Sequence, residues 1–479
     1  MGRTNESGPQ SRRHDGRAAT LIVLSVAFSA LLGTLMQSLI VPIIGTLPAE
    51  LGTSASATSW LVTAMLLCGA VASAVCGRLA DMYGKRRVLL VCLGSLVAGS
   101  LLGSFTDNLG LLILARAMQG LAMAIVPVGI GALRDLIAGD RLIRGIALVS
   151  AMTGLGGSLG GGLAGLVAQF LPWHWLFAGS AVMGAIAGAA VLALVPPVPG
   201  RPGGRLDVPG TIGLVLGLVG VLLAISNGGV WGWGSPATLG CLIGGGVVLL
   251  LWGWYELRAP NPLIDLRVAS SRPVLFTNLA SMLLGFGMYS LVLTGPQLAE
   301  LPEETGFGLG QTVLVAGGIA APSAIFALVV PQFAARLIER RGPRLSIVIG
   351  TVLLCVSYVV MLVAHSSIWH LVIANFFAVV GVAFCFAALP TLLLRHVPIE
   401  RSSEANGVNN VFRTVGTSTS AAVTSGILAS MLLASGPGAG RYPSEDAFVL
   451  TFVVALVACV LVLPAVLLVG REPAHGEQL

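Results

Sequence analysis

Residues 77–87 decide the fold of this chain, and they read Gly77-Arg78-Leu79-Ala80-Asp81-Met82-Tyr83-Gly84-Lys85-Arg86-Arg87. This short basic loop stands between two apolar stretches, each long enough to cross a bilayer as a helix. A degenerate second copy reads Ala335-Arg336-Leu337-Ile338-Glu339-Arg340-Arg341-Gly342-Pro343-Arg344. In register, three pairs of positions match: Arg78 with Arg336, Asp81 with Glu339, and Gly84 with Gly342. Two copies of one loop indicate an internally duplicated membrane protein, and such duplication is typical of transporters.

The composition indicates that most of the surface faces lipid. The chain has 479 residues, of which 56% are hydrophobic and only 10% are charged, whereas a soluble domain carries about 25% charged residues. Apolar runs of about 20 residues favour membrane helices over the alternating strands of a β-barrel. The seven cysteines lie inside apolar runs, without the spacing of a zinc or redox site. No phosphate-binding glycine loop precedes a lysine. We therefore expect no metal, no cofactor and no enzymatic activity.

The apolar pattern predicts an all-α membrane protein with fourteen transmembrane helices. The second copy of the loop follows span 10, whereas the first follows span 2, so spans 1–6 and 9–14 form two pseudo-symmetric six-helix bundles. Spans 7 and 8 are then two extra linker helices. The predicted boundaries are an N-terminal tail at 1–18, a first bundle at 19–196, a linker with the extra helices at 197–272, a second bundle at 273–470 and a tail at 471–479.

The placement of basic residues predicts the orientation. Of the 26 lysine and arginine residues, all except Arg116 and Arg441 fall in the two tails or in the loops after even-numbered spans. Basic residues accumulate on the cytoplasmic side of membrane proteins. Both termini are therefore predicted to be cytoplasmic, in the inner membrane of a bacterium.

This arrangement resembles the major facilitator superfamily, in particular its fourteen-span drug:proton antiporter branch. The signature loop of that superfamily reads roughly G-x-x-x-D-R-x-G-R-R, and here Met82 replaces the first arginine. The resemblance implies that both loops form a conformational latch between the bundles, made of Gly77, Arg78, Asp81, Gly84, Lys85, Arg86, Arg336, Glu339, Arg340 and Gly342. A charged contact at the water interface can break and re-form, as alternating access requires.

Spans 4 and 5 carry two further motifs that match the resemblance. Span 4 contains Arg116, Gln119 and Gly120, matching l-x-R-x-x-Q-G, and the resemblance links this arginine to proton coupling or helix positioning. An arginine within a membrane helix is costly, which also favours a function. Span 5 resembles the antiporter motif G-x-G-P-x-x-G-G, although Gly157 replaces the proline; its glycines are Gly154, Gly156, Gly157, Gly160 and Gly161. Such glycines equally allow close packing of helices.

Polar residues within apolar spans are candidates for a substrate cavity. At the start of span 13, Asn406, Asn409, Asn410 and Arg413 share one helical face, which is expected to face the other bundle or a water-filled cavity rather than lipid. The predicted cavity residues are Gln37, Asn278, Tyr289, Asn375, Asn409, Asn410 and Arg413.

Span 1 departs from the antiporter branch at the position of greatest consequence. The branch usually reads L-D-x-T-x-x-N-x-A-L-P, with a membrane aspartate, whereas this chain has Gly33 and Ser38 in place of the aspartate and the asparagine. All 20 acidic residues fall in tails, in loops or near span ends. Proton relays within membranes usually depend on Asp, Glu or His. Coupling through Asp81 and Arg116, uncoupled transport, and a different cargo therefore all remain open.

The sequence predicts a secondary transporter that exports hydrophobic or amphiphilic small molecules, such as drugs and antibiotics, by alternating access. Its expected partners are a small-molecule substrate, protons and membrane lipid, with no nucleic acid, and we expect a monomer. One alternative is a transporter of this superfamily with another cargo, such as a metabolite or lipid. The other is a membrane sensor or accessory protein that does not transport.

Overall fold

The computed structural model describes residues 16–40, 43–44, 47–58, 60–197, 207–260, 262–319, 321–432 and 442–469. The predicted tail at 471–479 and most of the tail at 1–18 lie outside these residues. Fourteen long helices fill the described ranges: α1 Arg17–Ser38, α2 Trp60–Tyr83, α3 Lys85–Ser104, α4 Leu109–Leu136, α5 Asp140–Phe170, α6 His174–Leu194, α7 Val208–Trp231, α8 Pro236–Glu256, α9 Arg272–Glu300, α10 Ala321–Arg341, α11 Pro343–Val363, α12 Ile368–Leu394, α13 Ser402–Ser430 and α14 Glu445–Leu468.

Shorter helical pieces connect or interrupt the long helices. Short α-helices span Leu47–Glu50, Ala55–Thr58, Leu266–Ala269 and Val313–Gly318, and 3₁₀ turns span Leu121–Ala124 within α4, Glu303–Thr305 and Ile399–Arg401. A helix satisfies its backbone groups internally, which lipid requires.

Twelve of the long helices in the described ranges are apolar and long enough to cross a membrane. The other two, α10 and α13, are equally long but more polar. Thr414, Thr417 and the asparagines of the sequence pattern lower the hydropathy of α13, and Arg336, Glu339 and Arg340 lower that of α10. Helix α13 packs between α2 and α9 with most of its polar residues buried. Helix α10 packs on α5 and α12 but leaves Arg336 and Arg340 exposed.

Sequence signals for helix ends appear at several boundaries. Asn108 caps α4 by accepting a hydrogen bond from the backbone N–H of Leu111, and Ser235 caps α8 in the same way, with Pro236 in the first turn. Two tight turns depend on glycines with positive φ, Gly84 between α2 and α3 (99°) and Gly342 between α10 and α11 (83°). The duplicated loop is therefore a helix–glycine–helix corner in both copies.

The buried apolar side chains form two large clusters. One collects residues of α1–α6 with Leu394, and the other collects residues of α9–α14 with Ile143 and Ala147. The clusters meet where α2 packs on α13 and where α5 packs on α10 and α12.

Helix α7 lies across the junction of the two clusters. It contacts both α2 and α13, and Leu214 and Leu218 share a small apolar cluster with Ala74 and Val408. Helix α8 packs on α7 and leaves most of its surface exposed, since only 11% of its most apolar stretch is buried within the molecule. The pair α7 and α8 therefore touches both sides of the main interface through α7.

Candidate functional site

A buried ion-pair cluster lies where α2 and α3 meet, at the end of the molecule that we call the basic end. The ammonium group of Lys85 lies 3.1 Å from Asp81 Oδ1 and 2.5 Å from Asp135 Oδ2. Their side chains are only 9%, 2% and 14% exposed, respectively. One cation thus holds two carboxylates in a largely dry environment, where removing a single partner is costly.

The same cluster reaches helix α13 on the other side of the interface. Oδ2 of Asp81 accepts a hydrogen bond of 2.9 Å from the backbone N–H of Glu404, in the first turn of α13, where a negative charge is favourable. The Glu404 carboxylate in turn pairs with Arg78 at 3.2 Å and accepts from the backbone N–H of Asp265 at 2.9 Å. Arg401 also pairs with Asp265. The cluster therefore joins α2, α13 and the segment that follows the linker helices.

Arg134, near the end of α4, adds a second connection across the interface. Its guanidinium donates to the carbonyl oxygens of Leu394 (2.6 Å) and Val397 (3.0 Å), and to the hydroxyl of Ser402 (3.0 Å). A cation at the C-terminal carbonyls of α12 is also favoured by the helix dipole. We use "latch" for the contacts of α2 and α4 with α12 and α13 at the basic end.

Glycines allow the backbones in the latch to approach closely. A Cβ atom on Gly77 would lie 2.6 Å from the carbonyl oxygen of Ser403, and one on Gly407 would collide with the carbonyl oxygen of Ser73. The amide of Asn410 donates to the hydroxyl of the same Ser73 at 2.6 Å. The backbones of α2 and α13 are therefore so close at Gly77 and Gly407 that neither position has room for a side chain.

The second copy of the loop lies where α10 packs on α5, the counterpart of the contact between α2 and α13. Glu339 accepts two hydrogen bonds from Arg144, at 2.9 and 3.3 Å. Arg336 lies over the ring of Phe333 within its own helix, and Arg340 is exposed. Arg86, of the first copy, donates to the carbonyl oxygen of Leu192 in α6. Of the predicted latch residues in the second copy, Glu339 is therefore the one seen to cross the interface.

Arg116 is enclosed within the first bundle. It is 1% exposed, and it donates to the carbonyl oxygen of Leu61 at 3.2 Å and to Gln119 Oε1 at 2.8 Å. Gln119 donates onward to Ser100 at 2.8 Å. Gly120 packs on α2, since a Cβ there would lie 2.6 Å from the carbonyl oxygen of Met65. The l-x-R-x-x-Q-G motif thus joins α2, α3 and α4, as a helix-positioning role requires.

Replacing Arg116 by alanine is expected to destabilise the purified protein. The substitution removes two hydrogen bonds and leaves buried acceptors without a partner, at a cost of about 2–4 kcal/mol. The melting temperature in detergent should fall by several degrees, whereas Arg258→Ala, at an exposed arginine that lies over Trp254, should not change it. Unchanged melting combined with altered proton dependence of transport would instead assign Arg116 to coupling.

The glycines of span 5 divide between two faces of α5. Gly156 and Gly160 pack on α1, where a Cβ would collide with the hydroxyls of Thr34 and Ser38. Added Cβ atoms on Gly154 and Gly157 would have no atom within 4 Å, and for Gly161 only the helical backbone is described. Two of the five predicted glycines therefore act in packing of α1 on α5.

A cavity lies between the two bundles, beyond the latch from the basic end. It is lined by Val126, Ile130, Ser150, Thr153, Ser281, Phe386, Leu389, Pro390, Asn409 and Arg413. Asn409 donates to Asn278 Oδ1 (2.9 Å) and to Ser281 (2.7 Å). Helices on both sides of the interface contribute to this space, which has a volume of about 30 Å³ in this closed structure. Its lining of apolar side chains with a few polar groups is of the kind found in small-molecule sites.

The other predicted cavity residues lie elsewhere. Gln37 contacts the sulfur of Met123 at 3.3 Å within the first bundle, and Asn375 donates to Ser323 at 3.2 Å within the second. Tyr289 is partly buried in α9, and Asn410 faces α2 through Ser73. Of the seven predicted residues, Asn409 and Arg413 line the cavity directly, and Asn278 supports Asn409.

The residues that sequence reasoning missed are partners contributed by distant parts of the chain. Asp135, Arg134 and Ser402 in the latch, and Ser150 and Phe386 in the cavity, belong to no motif. The adjacent charges of Arg134 and Asp135 at the end of a span were an available signal. The described residues contain no group of three or more His, Cys, Asp or Glu side chains that could hold a metal ion.

Comparison with known proteins gives a consistent set of relatives. The family model described as Major Facilitator Superfamily matches residues 26–421 and 308–478. The multidrug transporter protein MdtP of Bacillus subtilis (strain 168) is 26% identical over 86% of this chain and 74% of its own length. The putative multidrug resistance protein MdtD of Pectobacterium carotovorum subsp. carotovorum (strain PC1) is 26% identical over 94% of this chain and 95% of its own length.

A solved structure shares the fold. The crystal structure of the human organic anion transporter MFSD10 (TETRAN) superposes with a TM-score of 0.64 at 14% identity, covering 94% of this chain and 99% of the other. At this identity the likeness concerns the fold alone. With the family match over most of the chain and relatives named as multidrug transporters, the chain belongs to the major facilitator superfamily of membrane transporters and is not an enzyme.

Proposed function

We propose that this protein is a secondary transporter that exports amphiphilic small molecules through the cavity between its two bundles. The observation that carries the proposal is the combination of an interbundle cavity with a closed, ion-paired latch at one end. A latch built from charges near the membrane surface can open and close without moving a charge through the hydrocarbon core. The multidrug relatives support drugs or antibiotics as cargo.

The basic end is proposed to face the cytoplasm of a bacterium, across the inner membrane. Arg78, Lys85 and Arg134 belong to this end, and α1 begins and α14 ends there if all fourteen long helices span the membrane. Basic residues mark the cytoplasmic side. In this orientation, the structure is closed toward the cytoplasm.

The fourteen long helices are proposed to span the membrane as two six-helix bundles, at 19–196 and 273–470, with α7 and α8 as the linker pair. Support comes from the separate apolar clusters of α1–α6 and α9–α14. The polar residues of α13 are covered by its neighbours, and the charges of α10 lie in its last two turns, at the basic end. Both placements make their polarity tolerable within a membrane. We propose a monomer as the transporting unit.

Proton coupling is proposed to depend on the latch carboxylates rather than on a carboxylate in α1. Gly33, which replaces the usual aspartate, packs on α4 so closely that a Cβ would lie 2.6 Å from the carbonyl oxygen of Ala122. An aspartate would not fit there without separating the helices. Asp81 and Glu404 contact each other's segments across the interface, so a proton bound to either would weaken the latch.

The proposal is tested by efflux of a preloaded lipophilic dye from pump-deficient bacteria that make the protein. We expect protein-dependent efflux that stops when a protonophore collapses the proton gradient. Efflux that persists with the protonophore would refute the coupling but not the export. Absence of efflux for neutral, cationic and anionic dyes alike, with the protein present in the membrane, would contradict the proposed function.

A further inference from the structure

Arg413 is the charged side chain of the interbundle cavity. It lies about 16 Å along α13 from the start of that helix, not in the loop before it where the count of basic residues placed it. With α13 spanning the membrane as proposed, this depth is close to the middle of a hydrocarbon core about 30 Å thick. Its side chain is partly exposed to the cavity. Its guanidinium carbon lies 4.9 Å from the centre of the Phe386 ring, and Nη2 donates to Asn410 Oδ1. These two contacts fix the position of the guanidinium group, and most of its N–H donors make no hydrogen bond within the protein.

No carboxylate among the described residues pairs with Arg413. Other cations at the interface have such partners: Arg78 pairs with Glu404, Lys85 with Asp81 and Asp135, Arg144 with Glu339, and Arg401 with Asp265. Within a membrane, an unpaired charge is costly and marks a functional position. Arg134 of the latch has no carboxylate partner either, but its guanidinium is engaged by two carbonyl oxygens and a hydroxyl. Arg413 differs from these cations because it has neither a carboxylate nor such a set of acceptors.

The other polar groups of the cavity are already engaged. Ser150 donates to the carbonyl oxygen of Phe386 (2.8 Å) and Thr153 donates to that of Val149 (2.9 Å). The amide of Asn409 donates to Asn278 and Ser281. The free charged donors of the cavity are thus those of Arg413, beside the neutral hydroxyl of Ser281, which accepts from Asn409. Apolar side chains such as Ile130 and Leu389 also line the cavity.

We propose that Arg413 binds the anionic group of an amphiphilic cargo, a carboxylate or sulfonate whose apolar body lies against Phe386 and Leu389. This inference rests on the proposed export function and specifies its substrate class. A guanidinium presents planar, paired donors that match the oxygens of such an anion. At low dielectric, the same charge repels cationic amphiphiles. The cavity therefore selects anions over cations of similar size.

Two naphthylamine dyes that differ in one sulfonate test the assignment. The full-length protein is placed in nanodiscs of zwitterionic lipid, and binding of 8-anilinonaphthalene-1-sulfonate and of neutral N-phenyl-1-naphthylamine is measured against empty nanodiscs. Arg413→Gln should weaken sulfonate binding about tenfold or more, as expected for losing a hydrogen bond to a charged group. Binding of the neutral dye should change by less than about twofold, because apolar burial is retained.

Two further variants make the result specific. Arg413→Lys retains the charge and should recover part of the sulfonate affinity, and Arg258→Gln, at the exposed arginine over Trp254, should bind both dyes as the wild type does. Equal sulfonate affinity in wild type and Arg413→Gln would overturn the assignment, as would equal loss of both dyes. A wild type that exports the neutral dye but neither binds nor exports the sulfonate would refute this inference alone. A wild type that exports neither dye would count against the export function itself.

Discussion

Replacing Gly407 by valine should abolish export while leaving the protein folded in the membrane. The valine side chain has no room against the backbone of Ser73 when the latch is closed, and the helices must separate to accept it. Overpacking costs about 1–3 kcal/mol and sometimes more. At about 3 kcal/mol, the ratio of closed to open states falls about a hundredfold. Alternating access requires the closed state, so the transporter should remain open toward the cytoplasm.

The measurement combines dye efflux with a distance between spin labels at the basic end. Labels at Asp140, at the start of α5, and Arg341, at the end of α10, both lie at exposed positions. In a cysteine-free background, Gly407→Val should lengthen this distance and stop efflux. Gly188→Val is the matched control, because a Cβ on Gly188 meets no atom within 4 Å. Normal efflux by Gly407→Val would show that the close contact of α2 with α13 is not needed for transport.

Replacing Asp81 by asparagine should have the second largest effect. The variant keeps an acceptor for the Glu404 backbone N–H but loses the ion pair with Lys85, whose ammonium retains Asp135. The pair with Lys85 lies within α2–α4 and does not itself cross to α13. The closed state therefore loses only the negative charge of Asp81 that faces the first turn of α13, which contributes about 1–2 kcal/mol. The ratio of closed to open states should fall about tenfold, and export should fall accordingly.

A matched substitution at the opposite end of the molecule provides the control. Asp107 contacts His174 at 3.0 Å, and its side chain is 79% exposed, so Asp107→Asn should export normally because an exposed pair contributes little. Efflux and the Asp140–Arg341 distance are measured for both variants. If Asp81→Asn exports as fast as the wild type with an unchanged distance, the negative charge of Asp81 does not hold the latch closed.

The sequence predicted the helical segments well because lipid leaves few other options. Apolar runs of membrane length and the glycine corners at Gly84 and Gly342 are local signals, and the structure has long helices on both sides of each corner. Helices α10 and α13 show the limit of apolarity as a signal, because both fall outside the twelve apolar helices. The polar residues of α13 are covered by other helices, whereas Arg336 and Arg340 of α10 are exposed near its end.

The latch partners could not be read from the sequence, because they are set by tertiary packing. Asp81 and Glu404 are more than 300 residues apart, and neither motif nor spacing connects them. Gly33 is similar: the sequence shows that an aspartate is replaced, and only the contact with Ala122 shows why a larger side chain would not fit. Arg116 stood out as a charge within a span, but its enclosure by Leu61 and Gln119 required the packed bundle.

Flux through liposomes that contain the purified protein and no other tests the central proposal most directly, that this chain itself exports amphiphiles. A neutral or anionic naphthylamine dye and an imposed pH gradient are the only additions. We predict dye movement that requires the protein, follows the gradient and is absent in Gly407→Val. Dye movement equal to that of empty liposomes, from wild-type protein whose latch opens and closes by the spin-label distance, would contradict the export function.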